Sequence, residues 1–193
     1  MSNIQGISRL RNCIAGMTRI IDAAGNEADI LARGEVALAR LIAVDDWLPE
    51  SCAKPDETSY RQYLLHCDPL ERFSIVSFVW GPGQKTPIHD HTVWGLVGVL
   101  RGAEIERRYV RRGNTFIAGD EERLGPGSVA RLSPADGDVH QVSNAFSAQV
   151  SISVHIYGAN IGKVARHVFD RETGIPKTFI SGYSNSEVPN VWV

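Results

Sequence analysis

The chain has 193 residues, of which 43% are hydrophobic and 22% charged, and these values suit one globular domain with a sizeable core. A formal net charge of −2 and basic runs no longer than two residues argue against a nucleic-acid partner. The apolar runs are far too short to span a membrane, residues 1–13 lack the apolar core of a signal peptide, and three cysteines without CxxC spacing favour reduced thiols. We therefore expect a cytoplasmic protein that has neither a membrane nor a nucleic-acid partner.

The first quarter of the chain has the apolar periodicity of two helices. In the first, residues spaced by four, three and four positions form one stripe: Leu10, Ile14, Met17 and Ile21. This spacing predicts a helix from residue 4 to about 22, and a second periodic segment predicts another over roughly 27–43. The polar residues 50–58 indicate a connecting loop. We expect residues 1–50 to form a helical layer that packs against the remainder of one domain, residues 1–193.

From Tyr60 onward, short runs rich in β-branched and aromatic residues alternate with turn residues. The predicted strands are 73–80, 92–100, 104–110, 128–132, 140–144 and 149–157. Many short strands separated by evenly placed Gly, Pro, Asn and Asp residues are typical of a β-sandwich or a β-barrel. The sequence therefore predicts a mainly β protein whose barrel core covers about residues 58–170.

Three histidines have a spacing that favours a metal site. His89 and His91 are one residue apart, and residues i and i+2 of an extended strand point to the same face. His140 follows about fifty residues later. A lone histidine is as often a hydrogen-bonded structural residue, but three in this pattern suit a divalent metal that accepts neutral imidazole. Asp90, Asp138 and nearby carbonyls are candidate partners for the second ring nitrogens.

These histidines lie in segments that resemble the two sequence motifs of the cupins. The residues in register with those motifs are Gly83, His89, His91 and Gly102 in the first, and Gly137, His140 and Asn144 in the second. The resemblance implies a cupin fold, which is a jelly-roll-like β-barrel, here with the N-terminal helical layer added. One departure is informative, because Gly95 stands where most cupins have a ligand glutamate. The resemblance therefore implies a site of three histidines.

Among cupins, a three-histidine site is similar to that of the thiol dioxygenases, the cysteine dioxygenase type I family. Ser153, His155 and Tyr157 match that family's Ser-x-His-x-Tyr relay, in which the tyrosine hydroxyl points at the bound substrate. Their equal parity would place all three on one face of a strand. The resemblance covers about residues 58–170. It implies Fe(II) as cofactor, with His89, His91 and His140 as ligands, and O2-dependent oxidation of a small thiol to its sulfinate.

Two departures from the animal-type enzymes bear on the substrate. No cysteine occurs in the segment 92–95, so we expect Tyr157 to lack the thioether crosslink of those enzymes. Gln62 replaces their carboxylate-binding arginine, and a glutamine there resembles the bacterial 3-mercaptopropionate dioxygenases. In those enzymes an arginine after the relay tyrosine contacts the carboxylate, and Arg166 is the candidate. The resemblance thus implies Tyr60, Gln62 and Arg166 as substrate contacts, although a surface position for Arg166 is an equally good interpretation.

Other functions remain open at this point. The nearest alternative is an L-cysteine dioxygenase. A second is a cupin that uses Zn, Mn or Ni for isomerisation or ring cleavage, and a third is a non-catalytic cupin that binds a metal or senses a ligand. For the thiol dioxygenase we expect a small thiol and O2 as partners, and we expect the protein to be a monomer or a small homo-oligomer.

Overall fold

Two helices precede the barrel, in agreement with the apolar periodicity. In the computed structural model, which describes residues 4–113 and 115–192, α1 spans Ile4–Ala23 and α2 spans Glu27–Ile42. Asn26 caps α2, because its Oδ1 accepts a hydrogen bond from the backbone N of Asp29 at 3.0 Å. Residues 1–3, 114 and 193 of the predicted domain lie outside the described residues. Neither helix combines the length and apolarity that a membrane span requires, within the part of the chain described.

Within the described residues, the strands pair only in antiparallel fashion and build two sheets, as expected for a cupin barrel. Their bounds are Arg61–Cys67 (β1), Ser74–Trp80 (β2), Ile88–His89 (β3), Gly95–Arg101 (β4), Glu104–Arg112 (β5), Thr115–Leu124 (β6), Val129–Leu132 (β7), His140–Asn144 (β8), Ser151–Tyr157 (β9), Arg166–Phe169 (β10) and Pro176–Phe179 (β11). One sheet has the order β1-β2-β9-β4-β7, and the other β11-β10-β3-β8-β5-β6. The fold is therefore mainly β, a cupin barrel with a helical layer.

Strand β9 is buried at every position, because one of its faces lines the barrel and the other faces the helices. Ile152, Val154 and Ile156 belong to the hydrophobic cluster shared with α1 and α2, whereas Tyr157 belongs to the cluster inside the barrel. Helix α2 packs closely against β4 at Gly98, which has no side chain. A Cβ added at Gly98 would lie 3.0 Å from Cγ of Leu38 on the helix. The helical layer thus supports the sheet from behind, and the site lies on its other face.

The predicted strands omit β1, β6, β10 and β11, and the strand expected through His89 and His91 is the short β3, which ends at His89. Strand β6 forms an edge of its sheet and is exposed along most of its length, so it carries charged residues and lacks the apolar alternation of a half-buried strand. The predicted strand 92–100 begins late, at Gly95, because Thr92 has a φ of 60° and belongs to a turn. The predicted strand 140–144 matches β8 in both bounds.

After β11, residues 180–185 form a segment that we call the strap. It runs beside the free edge of β1, where Ser184 N donates to Gln62 O at 2.7 Å and Gln62 N donates to Ser184 Oγ at 3.0 Å. Asn185 continues the contact, because its side chain exchanges two hydrogen bonds with the backbone of Leu64. The strap therefore satisfies backbone groups that an uncovered edge strand would expose, and it reaches the mouth of the barrel cavity described next.

Candidate metal centre and active-site pocket

The three predicted metal ligands lie together inside the barrel. His89 on β3 and His140 on β8 are direct cross-strand partners. His91 completes the group, with ring centroids 4.8 Å from His89 and 4.9 Å from His140. One nitrogen from each ring lies within 4.8 Å of the others. In the residues that the structure describes, no carboxylate joins this cluster, so three imidazoles are the available donors.

The expectation that His89 and His91 share a strand is wrong in its details. Strand β3 ends at His89, and His91 lies in the turn that follows. The carboxylate of Asp138 holds this turn, because its Oδ2 accepts hydrogen bonds from the backbone N of His91 at 2.7 Å and of Thr92 at 2.9 Å. Thr92 has a left-handed φ of 60°, a strained conformation for a β-branched residue. The contact with Asp138 therefore positions His91, and the alternation of side chains along a strand does not.

The outer partners of the ligands agree with the prediction only in part, because a nearby carbonyl is confirmed for His89 and neither aspartate is a partner. Pro87 O lies 3.1 Å from Nδ1 of His89, and Glu106 Oε1 lies 2.8 Å from Nδ1 of His140. Asp138 is 3.9 Å from Nδ1 of His91, too far for a hydrogen bond. Asp90 does not contact the cluster, since it binds the backbone and the ring of His167. Glu106 was not predicted as a partner. Glu104 and Glu106 are two positions apart in a predicted strand, and this spacing would place both acids on one face, toward the interior.

The chemistry of the three histidines fits a divalent metal ion. Burial, followed by the proximity of His140, lowers the pKa of His89 well below its usual value. Burial and the proximity of His89 do the same to the pKa of His91. Both rings are therefore neutral bases at neutral pH. Because the Nδ1 atoms of His89 and His140 face their oxygen partners, the Nε2 atoms of these rings remain for a metal, and neutral imidazoles suit Fe(II) among other divalent ions.

The predicted relay forms a continuous hydrogen-bonded row on β9. Ser153 Oγ lies 2.8 Å from Nε2 of His155, and Nδ1 of His155 lies 2.7 Å from the hydroxyl of Tyr157. All three side chains are buried. Burial lowers the pKa of His155 to about 3 and raises the pKa of Tyr157, so both groups are neutral at ordinary pH. The Tyr157 ring stacks on His91 with centroids 5.4 Å apart, which places the end of the relay beside the metal centre.

A cavity of about 150 Å³ connects the metal centre, the relay and the predicted substrate contacts. Eight of the nine predicted site residues line it, and Ser153 lies behind His155 as the exception. The eight are Tyr60, Gln62, His89, His91, His140, His155, Tyr157 and Arg166. The small volume limits the ligand to a compact molecule.

Arg166 lies inside this cavity, which excludes the surface position considered from the sequence. It is 3% exposed, its Nη2 donates to Ser181 Oγ at 2.6 Å, and its guanidinium lies 4.8 Å from the ring centroid of Phe179. Its Nε has no hydrogen-bond partner, and no salt bridge to Arg166 forms among the described residues. A buried cation without a counter-charge is unfavourable, so this position fits an anionic ligand.

Gln62 and Tyr60 complete the same end of the cavity. The side-chain Nε2 of Gln62 donates to Ser181 Oγ at 3.3 Å and to Gly182 O at 3.1 Å. Tyr60 packs against Trp80, with ring centroids 4.8 Å apart. Ser181 is a residue that the sequence reasoning missed. It belongs to the strap, which carries no recognisable motif, and only the folded chain brings it to Arg166 and Gln62.

Comparison with known proteins agrees with this geometry. The sequence model of cysteine dioxygenase type I matches residues 32–172, which is most of the chain. The chain belongs to the cysteine dioxygenase type I family. Among curated relatives, cysteine dioxygenase type 1 of Rattus norvegicus is 27% identical over 126 residues, and the Homo sapiens protein is 26% identical over the same length. In both cases the match covers 63% of this chain and 61% of the relative.

Solved structures resemble parts of this chain at low sequence identity. A Klebsiella pneumoniae protein with a double-stranded β-helix domain has a TM-score of 0.45 at 20% identity, over 57% of this chain and 87% of that one. A cupin superfamily protein from Desulfitobacterium hafniense has a TM-score of 0.45 at 14% identity, over 61% and 94%. At these TM-scores the similarities carry no argument of their own, and the fold follows from the strand order given above.

In this member of the cysteine dioxygenase family, Gly95 lies against the relay tyrosine. Gly95 of β4 is the cross-strand partner of Tyr157. A Cβ at this position would lie 3.1 Å from Cδ1 and 3.2 Å from Cε1 of the Tyr157 ring. The absence of a side chain therefore has two consequences, since it removes a potential fourth ligand and leaves space for the tyrosine ring.

Proposed function

We propose that this protein is a non-haem Fe(II) thiol dioxygenase that converts a small thiol carboxylate, foremost 3-mercaptopropionate, to its sulfinate. The overall change is RSH + O2 → RSO2H, in which the O–O bond breaks, two S–O bonds form and sulfur is oxidised. One observation carries the proposal: a single small cavity contains three imidazoles, the hydroxyl end of a buried relay and a buried arginine without a salt bridge among the described residues. Membership of the cysteine dioxygenase type I family supports the same reaction class.

His89, His91 and His140 would hold the iron. Fe(II) bound there would supply the redox chemistry, by bringing a thiolate and O2 together and activating O2 for transfer to sulfur. Because imidazoles bind a metal as neutral ligands, these three would leave the charge of the ion uncompensated, and that charge would favour the thiolate form of the substrate. A site of three histidines therefore suits an anionic sulfur ligand better than a site that includes a carboxylate donor.

Tyr157 acts at the reacting end of the cavity. His155 holds the tyrosine in place through the 2.7 Å contact, and burial keeps the hydroxyl protonated. A fixed hydroxyl that donates a hydrogen bond where negative charge develops lowers the barrier of the chemical step, because the donor needs no reorganisation during the reaction. Tyr157 is the residue to which we assign this role.

Arg166 and Gln62 bind the carboxylate end of the substrate in this proposal. Arg166 supplies the positive charge, and Tyr60 forms a wall beside it. Gln62 would supply a neutral amide donor by exchanging one of its hydrogen bonds to Ser181 or Gly182 for one to the substrate. The lining also distinguishes substrates. Among the described residues that line the cavity there is no carboxylate, so nothing there can pair with the ammonium group of cysteine. 3-Mercaptopropionate has the carboxylate and lacks the ammonium, and therefore matches the charges available.

The direct test is O2 uptake by the purified protein with its iron content quantified, using 3-mercaptopropionate, L-cysteine and cysteamine. We expect the highest kcat/KM with 3-mercaptopropionate and a sulfinate product that carries both atoms of isotopically labelled O2. Replacement of iron by Zn, Mn or Ni should abolish turnover. The enzyme proposal is wrong if the fully iron-loaded protein turns over none of these thiols.

L-Cysteine dioxygenase is the second candidate, because the curated relatives are named cysteine dioxygenase type 1. The Gln62→Arg variant separates the two. A second cation at this end should shift the ratio of kcat/KM values toward cysteine, whereas Arg61→Gln, on the neighbouring residue that does not line the cavity, should leave the ratio unchanged. If the unmodified protein already prefers cysteine, the argument from the missing carboxylate is wrong.

A further inference from the structure

A second glutamate lies behind the relay, and the proposed mechanism does not use it. Glu104 begins β5 and is 0% exposed. Neither of its carboxyl oxygens has a hydrogen-bond partner in the described structure. The polar side chains that face it are Ser153 and Trp80, and Ser153 is the end of the relay farthest from the cavity. A fully buried carboxyl without a formed partner requires an explanation, since such a group is strongly disfavoured in its charged form.

The relay can carry its hydrogen bonds in either direction. A neutral imidazole has one N–H donor and one acceptor nitrogen. If the proton of His155 is on Nδ1, it donates to the oxygen of Tyr157, and the Tyr157 hydrogen is free to point into the cavity. If the proton is on Nε2, His155 donates to Ser153, and Tyr157 must then donate to Nδ1. In that second state the hydroxyl cannot donate to a substrate.

The protonation state of Glu104 selects between these two directions. An ionised carboxylate only accepts, so the Ser153 hydroxyl donates to it and His155 must then donate from Nε2. A protonated Glu104 donates to Ser153, which in turn donates to Nε2 of His155 and leaves the ring proton on Nδ1. Trp80 Nε1, 3.2 Å from Ser153 Oγ, can donate to the serine in both states. Every donor and acceptor of Ser153 is satisfied in either arrangement.

We propose that Glu104 is a positioning residue that sets the direction of the Ser153–His155–Tyr157 relay, so that only its protonated form turns the Tyr157 hydroxyl into the cavity. This inference rests on the proposed function, because it concerns the use of that hydroxyl. The pKa of Glu104 is raised to about 7, chiefly by burial, while Ser153 and Trp80 act in the opposite sense and the nearby charge of Glu106 on the same strand adds a smaller increase. No salt bridge reaches Glu104 among the described residues.

The groups that face Glu104 set the sign of the pH effect. Strands β9 and β2 present Ser153 and Trp80, its partner on β8 is Asn144, and the neighbouring charge is Glu106. None of these is a cation that would hold the carboxyl in its ionised form, so its pKa stays raised and the protonated form predominates below about 7. Turnover should therefore be high below about 7 and should fall as the pH rises through that value.

The matched variant is Glu104→Gln, which keeps the shape of the side chain, retains an N–H donor for Ser153 and does not titrate. We expect kcat with 3-mercaptopropionate to lose its decline above about pH 7 in this variant, while the exposed Glu122→Gln variant on β6 retains the decline. If Glu104→Gln turns over substrate with the unchanged pH profile, the positioning role is wrong.

A second measurement does not depend on activity. Heteronuclear NMR of the ring nitrogens, on the full chain supplied with zinc in place of iron, reports which nitrogen of His155 carries the proton. We expect the proton to move from Nδ1 to Nε2 as the pH rises through about 7, and expect Glu104→Gln to abolish this change. Ser153→Ala keeps Glu104 but interrupts the path, so it should abolish the change as well, even if Glu104→Gln fails to fold.

The two experiments separate the two proposals. If no thiol is oxidised but the His155 proton moves as expected, the dioxygenase proposal is wrong and the role of Glu104 in setting the relay direction stands. If His155 keeps one tautomer throughout in the unmodified protein, or changes in the same way in Ser153→Ala, the Glu104 proposal is wrong whatever the activity.

Discussion

At the scale of single residues, Tyr157 connects the parts of the site. Its ring stacks on the ligand His91, its hydroxyl contacts His155, and its ring lies against the backbone of Gly95. The contact with His91 fixes the plane of the ring, the contact with His155 fixes the position of the oxygen, and the contact with Gly95 limits movement of the ring toward β4. A hydroxyl fixed in this way needs little reorganisation to stabilise developing charge.

The Tyr157→Phe variant tests this role directly. We expect it to retain its iron and to oxidise 3-mercaptopropionate about 100-fold more slowly, because one preorganised hydrogen-bond donor is lost. O2 uptake at quantified iron content is the measurement. Tyr109→Phe, at a buried tyrosine that does not line the cavity, is the control. An unchanged rate in Tyr157→Phe would contradict the role assigned to the hydroxyl of Tyr157.

Gly95→Ala tests the space beside the tyrosine ring. The new methyl group would lie 3.1 Å from Cδ1 of Tyr157, so the ring must shift within a close-packed interior. Overpacking of this kind lowers the free energy of unfolding by about 1–3 kcal/mol, and we expect a reduced kcat with the iron content maintained. Gly125→Ala has no atom within 4 Å of its new Cβ and should change neither the urea midpoint nor kcat. Equal behaviour of the two variants would contradict the argument.

At the scale of elements, the strap joins the substrate end of the cavity to the edge of β1. Ser184 and Asn185 fix it to β1, and Ser181 then reaches the two carboxylate-binding side chains, Arg166 and Gln62. The strap lies beyond residues 32–172, the part of the chain that matches the family model. We therefore expect it to adjust substrate affinity and to leave the chemical step unaffected.

Ser181→Ala removes the hydroxyl shared by Arg166 and Gln62. The guanidinium loses a charge-assisted hydrogen bond, and such bonds contribute about 1.5–3 kcal/mol. We predict that the KM for 3-mercaptopropionate rises at least about tenfold while kcat changes little, as measured by O2 uptake over a range of substrate concentrations. Ser186→Ala, at an exposed position five residues later, should behave like the unmodified protein. A fall in kcat at constant KM would place Ser181 in the chemical step and contradict this prediction.

At the scale of the whole molecule, the helical layer and the site occupy opposite faces of one sheet. Alternate residues of β9 serve the two sides, with Ile152, Val154 and Ile156 toward the helices and Ser153, His155 and Tyr157 toward the cavity. Stability and chemistry thus depend on different side chains of the same strand. A change in the helical layer should therefore affect the free energy of unfolding more than the reaction.

Leu38→Ala tests this separation. Leu38 of α2 is 0% exposed and packs against Gly98 of β4, so the variant leaves a cavity and should lower the free energy of unfolding by about 2–5 kcal/mol. Urea denaturation is the measurement, and the folded fraction should retain its kcat. Val36→Ala, at a half-exposed position of the same helix, should stay within about 0.5 kcal/mol of the unmodified protein. A large loss of kcat in folded Leu38→Ala would contradict the separation.

The sequence by itself determined the features that depend on local spacing. Periodicity located both helices, turn residues separated several strands, and the parity of Ser153, His155 and Tyr157 placed them on one face. The spacing also identified His89, His91 and His140 as a group, although it assigned His91 to a strand that ends at His89. These inferences succeed because neighbouring residues of a helix or strand have fixed relative directions.

Only the tertiary structure decided which distant residues meet at the site. Glu106 reaches His140, Asp138 reaches the turn at His91, and Ser181 reaches Arg166. Each pairing depends on the register between strands or on the course of the strap, and no local pattern encodes either. The same holds for Glu104, whose proximity to Ser153 follows from closure of the barrel. Sequence spacing specifies the face on which a side chain lies, whereas long-range packing specifies the groups it meets there.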